Sequence, residues 1–258
     1  MNNIQIKVLN PEVLETSRKM TVCAARLTQR GEKISTIDDF MELYNKSSKD
    51  ETYKTMCELP HTTIQRFVSI NVVVVGASRR YLSQITRSSV GVTFMSASLQ
   101  YSDYSGKADF VVPYEMLETH QEKGYLSVCK RAMKNYHAAI DVGINNDAAG
   151  YMAPQGLRNV LIISANPLAW KQMISSRVCN RNTLETQYVM LKIWEELYKL
   201  DPILFAMNTT GPFCQKDKCR EGKMACKCPF GKDETPTDIL KRKFPLLYKE
   251  VKDENKNN

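Results

Sequence analysis

Residues 84–101, QITRSSVGVTFMSASLQY, put Gln84 and Arg87 at one end of a segment and Ser98, Gln100 and Tyr101 at the other. Amide, guanidinium and hydroxyl donors in one stretch suit an anion, since a guanidinium fork meets a phosphate or carboxylate with two parallel hydrogen bonds. Between the two ends almost every charge is missing. The segment therefore reads either as an anion-binding stretch short of cations or as a strand beside an arginine. A second pair lies in NPLAWKQMISSR, where Asn166 opens a helix and Arg177 follows eleven residues later. Eleven residues are close to three helical turns, which puts both side chains on one face. Both also suit plain structure: Asn166 before Pro167 is a good helix cap, and Arg177 opposes the dipole of a helix C-terminus.

The common catalytic kits are absent. The chain has three histidines, His61, His120 and His137, and no HExxH, GxSxG, Walker loop or GxGxxG. Its 258 residues are 43% hydrophobic and 25% charged, with a net charge of +8, values of a globular protein long enough to bury a core. Much of the positive excess sits late, at Lys216, Lys218, Arg220, Lys223, Lys227, Lys241, Arg242 and Lys243. No aromatic–basic alternation accompanies it, so a solvated basic tail is expected and nucleic acid is not. No segment is apolar enough to span a membrane, and MNNIQIKVLNPEVLE lacks the apolar core of a signal peptide. A cytoplasmic protein is the expectation, with its eight cysteines reduced. Cys23, Cys57, Cys129 and Cys179 are scattered and read as small hydrophobes. Cys214, Cys219, Cys226 and Cys228 cluster. Their first gap suits zinc ligands and their last is tight, leaving a structural zinc site and a set of reduced thiols as two open readings.

The elements that must position these residues follow from periodicity. Residues 4–9 alternate and predict a strand. Pro11 opens a helix to about Arg30, and residues 36–58 predict one or two more, capped at Ser35 or Thr36. FVSINVVVV, residues 67–75, predicts a strand ended by Gly76, followed by a helix over 77–87 and a second strand to about Tyr101. Residues 101–109 predict a loop, 114–138 a long helix, and NNDAAG, residues 145–150, a break. RNVLIISA, residues 158–165, predicts a strand; helices follow to about Ser176 and over 183–200. In the tail, ILKRKFPLLYKEV alone has a helical pattern. Strands and helices mix without a regular βαβ rhythm, which favours α+β or irregular α/β over a doubly wound sheet.

Three of these stretches resemble the flavin-dependent thymidylate synthases. Residues 83–101 look like the family signature that begins R-H-R and ends S-x-R-Y, with Arg87, Ser98 and Tyr101 matching and one extra residue between the ends. NPLAWKQMISSRVCNRNTLETQY looks like the family's N-x-R-S…R…A-Q-W, with Asn166, Arg177 and Gln187 matching. GPFCQKDKCREGKMAC is similar to a cysteine-bearing tail of one branch. HTTIQRF, residues 61–67, is a fainter echo of G-H-x-S-x-x-E-H.

The resemblance implies an α/β fold of the α+β kind, a mixed sheet with flanking helices, over residues 1–208, with 209–258 as a basic Cys-rich tail. It implies an FAD-dependent thymidylate synthase, a methyltransferase of nucleotide biosynthesis that makes dTMP from dUMP. Methylenetetrahydrofolate gives the carbon, reduced FAD the hydride, and NADPH re-reduces the flavin. It also implies a homotetramer whose sites draw on several subunits. Carried over residue by residue, Arg177 becomes the catalytic, pyrimidine-activating group. Gln84, Ser98 and Gln100 fall on substrate positions, and Arg87, Ser88, Ser89 and Asn166 on flavin positions. The cofactor supplies the chemistry and the protein orientation and charge.

The departures matter as much. R-H-R is here Arg87-Ser88-Ser89, the arginine of S-x-R-Y is Gln100, and the acid two residues before the matching serine is Ser96. The arginine of A-R-x-V-L-P is Gly150, and the last histidine of the G-H motif is Phe67. Each absent charge-assisted contact is worth roughly 1.5–3 kcal/mol, so losing two weakens a nucleotide by about 10²- to 10⁴-fold unless other groups replace them. Arg79, Arg80 and Arg158 lie close to the gaps in sequence. Two alternatives follow: a relative acting on another pyrimidine nucleotide, or a non-catalytic subunit partnering an intact synthase.

Overall fold

Short strands rich in β-branched residues build one sheet, and the computed structural model describes its setting over residues 1, 3–47, 49–88, 90–107, 109–216 and 219–248. The strands are β1 (Gln5–Val8), β2 (Ile70–Ser78), β3 (Val92–Ser96) and β4 (Arg158–Ala165), in the order β1-β2-β4-β3. Every pairing is antiparallel, which corrects the expected mixed sheet while keeping the α+β class. The reason is topological. β2, the short helix α4 (Arg79–Ile85) and β3 form a crossover between two parallel strands, but β4 inserts between them and pairs antiparallel with both.

Gly76 does not end β2. It adopts φ +86° at a bulge where the β2–β4 register shifts between Val75 and Ala77. Only glycine takes that conformation freely, and a Cβ there would stand 3.0 Å from the Asn3 carbonyl oxygen. The strand thus continues three residues past the expected end. Other boundaries moved for local reasons. NNDAAG forms α6 (Asn146–Gly150), because Asn145 Oδ1 accepts the Ala148 N–H at 2.9 Å and caps it. In the tail α11 (Pro236–Lys243) begins earlier than the pattern suggests, through a capping box between Thr235 and Asp238, and stops before Pro245.

The N-terminal helices α1 (Val13–Arg30), α2 (Ile37–Asn45) and α3 (Asp50–Glu58) wrap one side of the sheet's helical layer. Thr36 caps α2 with a reciprocal bond to Asp39. α5 (His120–Asp141) carries Cys129, Met133, Tyr136 and Ala139 as a buried stripe, and with Tyr104, Phe110, Ala149 and Leu157 it forms a second, smaller core. The main core lies between the sheet and α7 (Pro167–Arg177) and α8 (Leu184–Leu200). Trp170 of α7 donates its indole N–H to the Ile70 carbonyl at 3.0 Å, and Trp194 of α8 donates to Phe205 at 2.7 Å. Ile239, Leu240 and Phe244 of α11 join the same core. The other sheet face keeps Val75, Met95, Val160 and Ile162 exposed. Among the described residues no helix is long and apolar enough to cross a membrane.

Beneath the core runs a buried polar chain. Asp201 accepts from the Tyr53 hydroxyl at 2.9 Å and from the Leu204 N–H at 2.9 Å, with Arg18 at 3.9 Å. Lys171, 5% exposed, donates to Gln65 Oε1 at 2.9 Å. Burial pushes its ammonium down to about 8, against the opposing pull of Cys57 and Asp201. A base whose pKa falls on folding carries its full burial cost below the folded value. The cost is relieved as pH rises from about 8 to 10.5, where the folded form sheds a proton that the unfolded chain keeps. Wild-type stability measured against Lys171→Met should therefore climb across that window, with a slope of at most about 1.4 kcal/mol per pH unit. Parallel denaturation series of the two proteins check this, and a flat difference would refute it.

Candidate functional site

Asn166 and Pro167 start α7 as a cap and a first-turn proline. Asn166 Oδ1 accepts the Ala169 N–H at 2.9 Å, which leaves the amide NH2 free to face outward. That nitrogen lies 3.3 Å from where a Cβ would stand on Gly91, a residue at φ +69°. Any other side chain at 91 would be strained and would crowd the amide. Three turns later, on the same helix face, α7 ends at Arg177.

Arg177 meets the end of α4. Its Nη2 donates to Ser88 Oγ at 3.4 Å, while its Nε is buried without a partner. Burial, then the neighbouring Arg87 cation, lower the Arg177 pKa, with the Tyr81 hydroxyl opposing. The guanidinium nevertheless stays charged. Ion pairs of arginine among the described residues use Arg18, Arg158, Arg181 and Arg242, not Arg79, Arg87 or Arg177. Arg87 and Arg177 thus stand together without an ion-pair partner among the described residues. Gln84 is half-buried on the last turn of α4, and Arg87 is exposed just beyond it.

So the fold brings Arg87, Ser88 and Arg177 together, while Asn166 lies about 16 Å away at the other end of α7, beside Gly91. It does not bring Ser98 and Gln100 to Arg177 within a single chain. β3 and its continuation to Ala97 run between the two groups, about 17 Å of extended strand. Ser98 Oγ accepts the Gln100 N–H at 3.0 Å in a local turn, and Gln100 and Tyr101 are exposed. Ser89 lies outside the described residues. Of the nearby arginines, Arg158 is engaged by Asp109 at 2.8 Å and by the Gly76 carbonyl at 2.6 Å. Arg79 has a buried Nη1 without a partner, beside Tyr104.

The zinc reading of Cys214, Cys219, Cys226 and Cys228 is not supported. Among the described residues no group of three or more His, Cys, Asp or Glu is placed to hold a metal ion. Cys226 points to solvent, while Cys228 is half-buried and donates to Gln215 Oε1 at 3.2 Å.

One feature escaped the sequence reading. The opposite face of α7, through Leu168, Lys171 and Gln172, lines a cavity of about 470 Å³ with Thr62 and Gln65. Its signal was a lysine set between Trp170 and Met173 on a buried helix. The stretch HTTIQRF supplies the other wall.

Comparison with known proteins bears on the fold and the family. A flavin-dependent thymidylate synthase of Geobacter sulfurreducens is 22% identical over 192 residues, 74% of this chain and 82% of that protein. Its counterpart in Saccharolobus solfataricus is 31% identical over 93 residues, 36% of this chain; the match spans about a third, 34%, of that relative's length. Among solved structures, the UMP/dUMP methylase PolB of Streptomyces cacaoi superposes with a TM-score of 0.65 at 16% identity, covering 81% of this chain and 96% of that one. Thymidylate synthase X of Helicobacter pylori, solved with FAD and dUMP, gives 0.59 at 15% identity over 80% and 99%. Residues 12–203 match the family model described as thymidylate synthase complementing protein, and the chain belongs to that family.

Proposed function

We propose that this chain is a flavin-dependent thymidylate synthase, making dTMP from dUMP with methylenetetrahydrofolate and NADPH through FAD. The observation that carries the reading is the uncompensated cation pair. Arg177, with a buried and unpartnered Nε, stands beside Arg87, and among the described residues neither forms an ion pair. A half-buried guanidinium left this way is costly unless an anion or a polarisable oxygen meets it. A nucleotide and a flavin offer both. When bound, FAD supplies the hydride. Arg177, on the rigid end of α7, is positioned to donate to a pyrimidine carbonyl and stabilise charge developing there. Arg87, Ser88 and the free NH2 of Asn166 form the adjoining polar wall for the flavin, and Gln84 offers an amide to the nucleotide.

Ser98 and Gln100 enter this site from another copy of the chain in the proposed homotetramer. The exposed apolar sheet face of Val75, Met95, Val160 and Ile162 is the kind of surface that assembly covers. A second reading has its own support. Gly150 packs so closely that a Cβ there would lie 3.2 Å from Leu99, so the phosphate side is built without the family arginine. That favours a different pyrimidine nucleotide, or a subunit that joins an intact synthase.

Purified protein is expected to be yellow, or to become so on adding FAD, and to release tritium from labelled dUMP when NADPH and the folate are present. A protein that stays colourless with FAD rules out the main reading; bound flavin that responds only to another nucleotide selects the second. Arg177→Lys keeps the charge but loses the planar fork, and should lower turnover by about 10²- to 10³-fold while flavin stays bound. Unchanged turnover would remove Arg177 from the chemistry. Ile162→Lys places a charge on the exposed sheet face and should shift the assembly toward the 29.5 kDa monomer in sedimentation velocity. An unaltered mass would mean that the face is not an interface.

A further inference from the structure

Cysteines gather where the C-terminal tail meets the end of α7. Cys179 lies two residues beyond Arg177, and Cys214 sits on the short helix α10 (Phe213–Lys216). Burial, then the neighbouring Cys228 thiol, push the Cys214 thiol up, with Cys179 and Cys219 as further neighbours. The placement has an independent witness: the Cys228 thiol donates to Gln215 Oε1 at 3.2 Å, on the residue that follows Cys214. All these thiols are free, and none is used by the nucleotide site.

The surroundings hold the tail in place. Ser175 of α7 donates its hydroxyl to the Thr210 and Gly211 carbonyls at 2.8 and 2.9 Å, just before Cys214. In the turn between α7 and α8, Arg181 meets Glu221 at 3.9 Å and Met224 Sδ at 3.3 Å. Lys243 of α11 donates to Asn180 and Gln187. Arg220 lies 3.7 Å over the Phe213 ring. The Cys228 thiol is therefore held beside the residue next to Cys214, and a disulfide needs the two chain segments to lie close without a large movement.

We propose that Cys214 and Cys228 form a reversible disulfide that fastens the tail against the α7–α8 turn behind Arg177. The oxidant is a small disulfide such as glutathione disulfide. One thiolate of the pair attacks a glutathione sulfur and releases one glutathione thiol. The other thiolate then displaces the second glutathione. One protein S–S bond replaces the glutathione S–S bond, the two protons end on glutathione thiols, and two electrons pass from the cysteines to glutathione.

The test uses the folded full-length chain equilibrated in graded glutathione buffers, quenched and alkylated. Two of the eight thiols should escape alkylation in the oxidised form, and its mass should fall by two hydrogens. The tryptic peptide of residues 200–216 should then be found joined to that of residues 228–232. Cys214→Ser and Cys228→Ser should each abolish this species, while Cys219→Ser and Cys226→Ser should leave it. Three results would overturn the proposal: all eight thiols still alkylated under oxidising buffer, a bridge that runs instead to Cys179, Cys219 or Cys226, or one retained equivalent of zinc that blocks oxidation. None of these depends on flavin or nucleotide, so the latch stands or falls apart from the proposed activity.

Discussion

Helix α8 cannot face water over most of its length. Its buried residues run from Thr186 through Leu197 and include Tyr188, Met190, Leu191, Ile193 and Trp194, which occupy nearly every direction around the axis. Such a helix is stable only when neighbours enclose it, and here β1, β2, α4, α7 and α11 do so. Its polar exceptions are satisfied from those neighbours. Glu195 accepts from Thr237 and Tyr248 at 2.7 Å each, which seats α11 and the segment after it. Glu185 accepts from the Ser78 backbone N–H at 2.7 Å and hydroxyl at 2.5 Å, which fixes the junction of β2 and α4. The position of α4, and so of Arg87 and Ser88 at its end, follows from burying α8.

α7 is fixed from the other side. Trp170 ties its first turns to the start of β2, and Ser175 ties its last turn to the chain after α9 (Met207–Thr210). Arg177 therefore projects from a helix that cannot easily shift. Burial and the neighbouring Arg87 cation both oppose the charge on Arg177. The core offsets that cost, and a preorganised cationic recess results. This also explains why the site sits at element ends. A helix terminus is the place where a rigid scaffold can present a charged group without burying the whole side chain.

Much of this arrangement was legible in the sequence. β4 spans the expected residues because RNVLIISA alternates and is bounded by Asn166-Pro167. The Asn166–Arg177 spacing placed both residues on one face before any coordinates. Other features were hidden because they depend on distant contacts. Gly76 looks like a strand terminator, yet the Arg158 side chain accepts its geometry and the strand passes through. α6 reads as a break because its cap and five residues are too short for periodicity to register. The buried lysine of the cavity reads as a surface residue until Gln65, 106 positions away, is seen beside it. The separation of Ser98 from Arg177 was invisible too, since a signature segment does not reveal that a strand runs between its ends.

The lost charges of the signature have a structural logic that point substitutions alone would not reverse. Gly150 ends α6 against Leu99, whose Cβ would lie 3.2 Å from any new one at 150. Ser98 spends its hydroxyl on the Gln100 backbone. Leu99 in turn packs against the smaller core around Tyr136. An arginine restored at 150 would first have to push the Leu99 side chain back by a few tenths of an ångström, at a cost on the order of 1–3 kcal/mol for overpacking. The segment around Leu99 is thus continuous with the packing of α5 and α6. Arg177 stands beyond the other end of β3, at the end of α7, with Arg87 beside it.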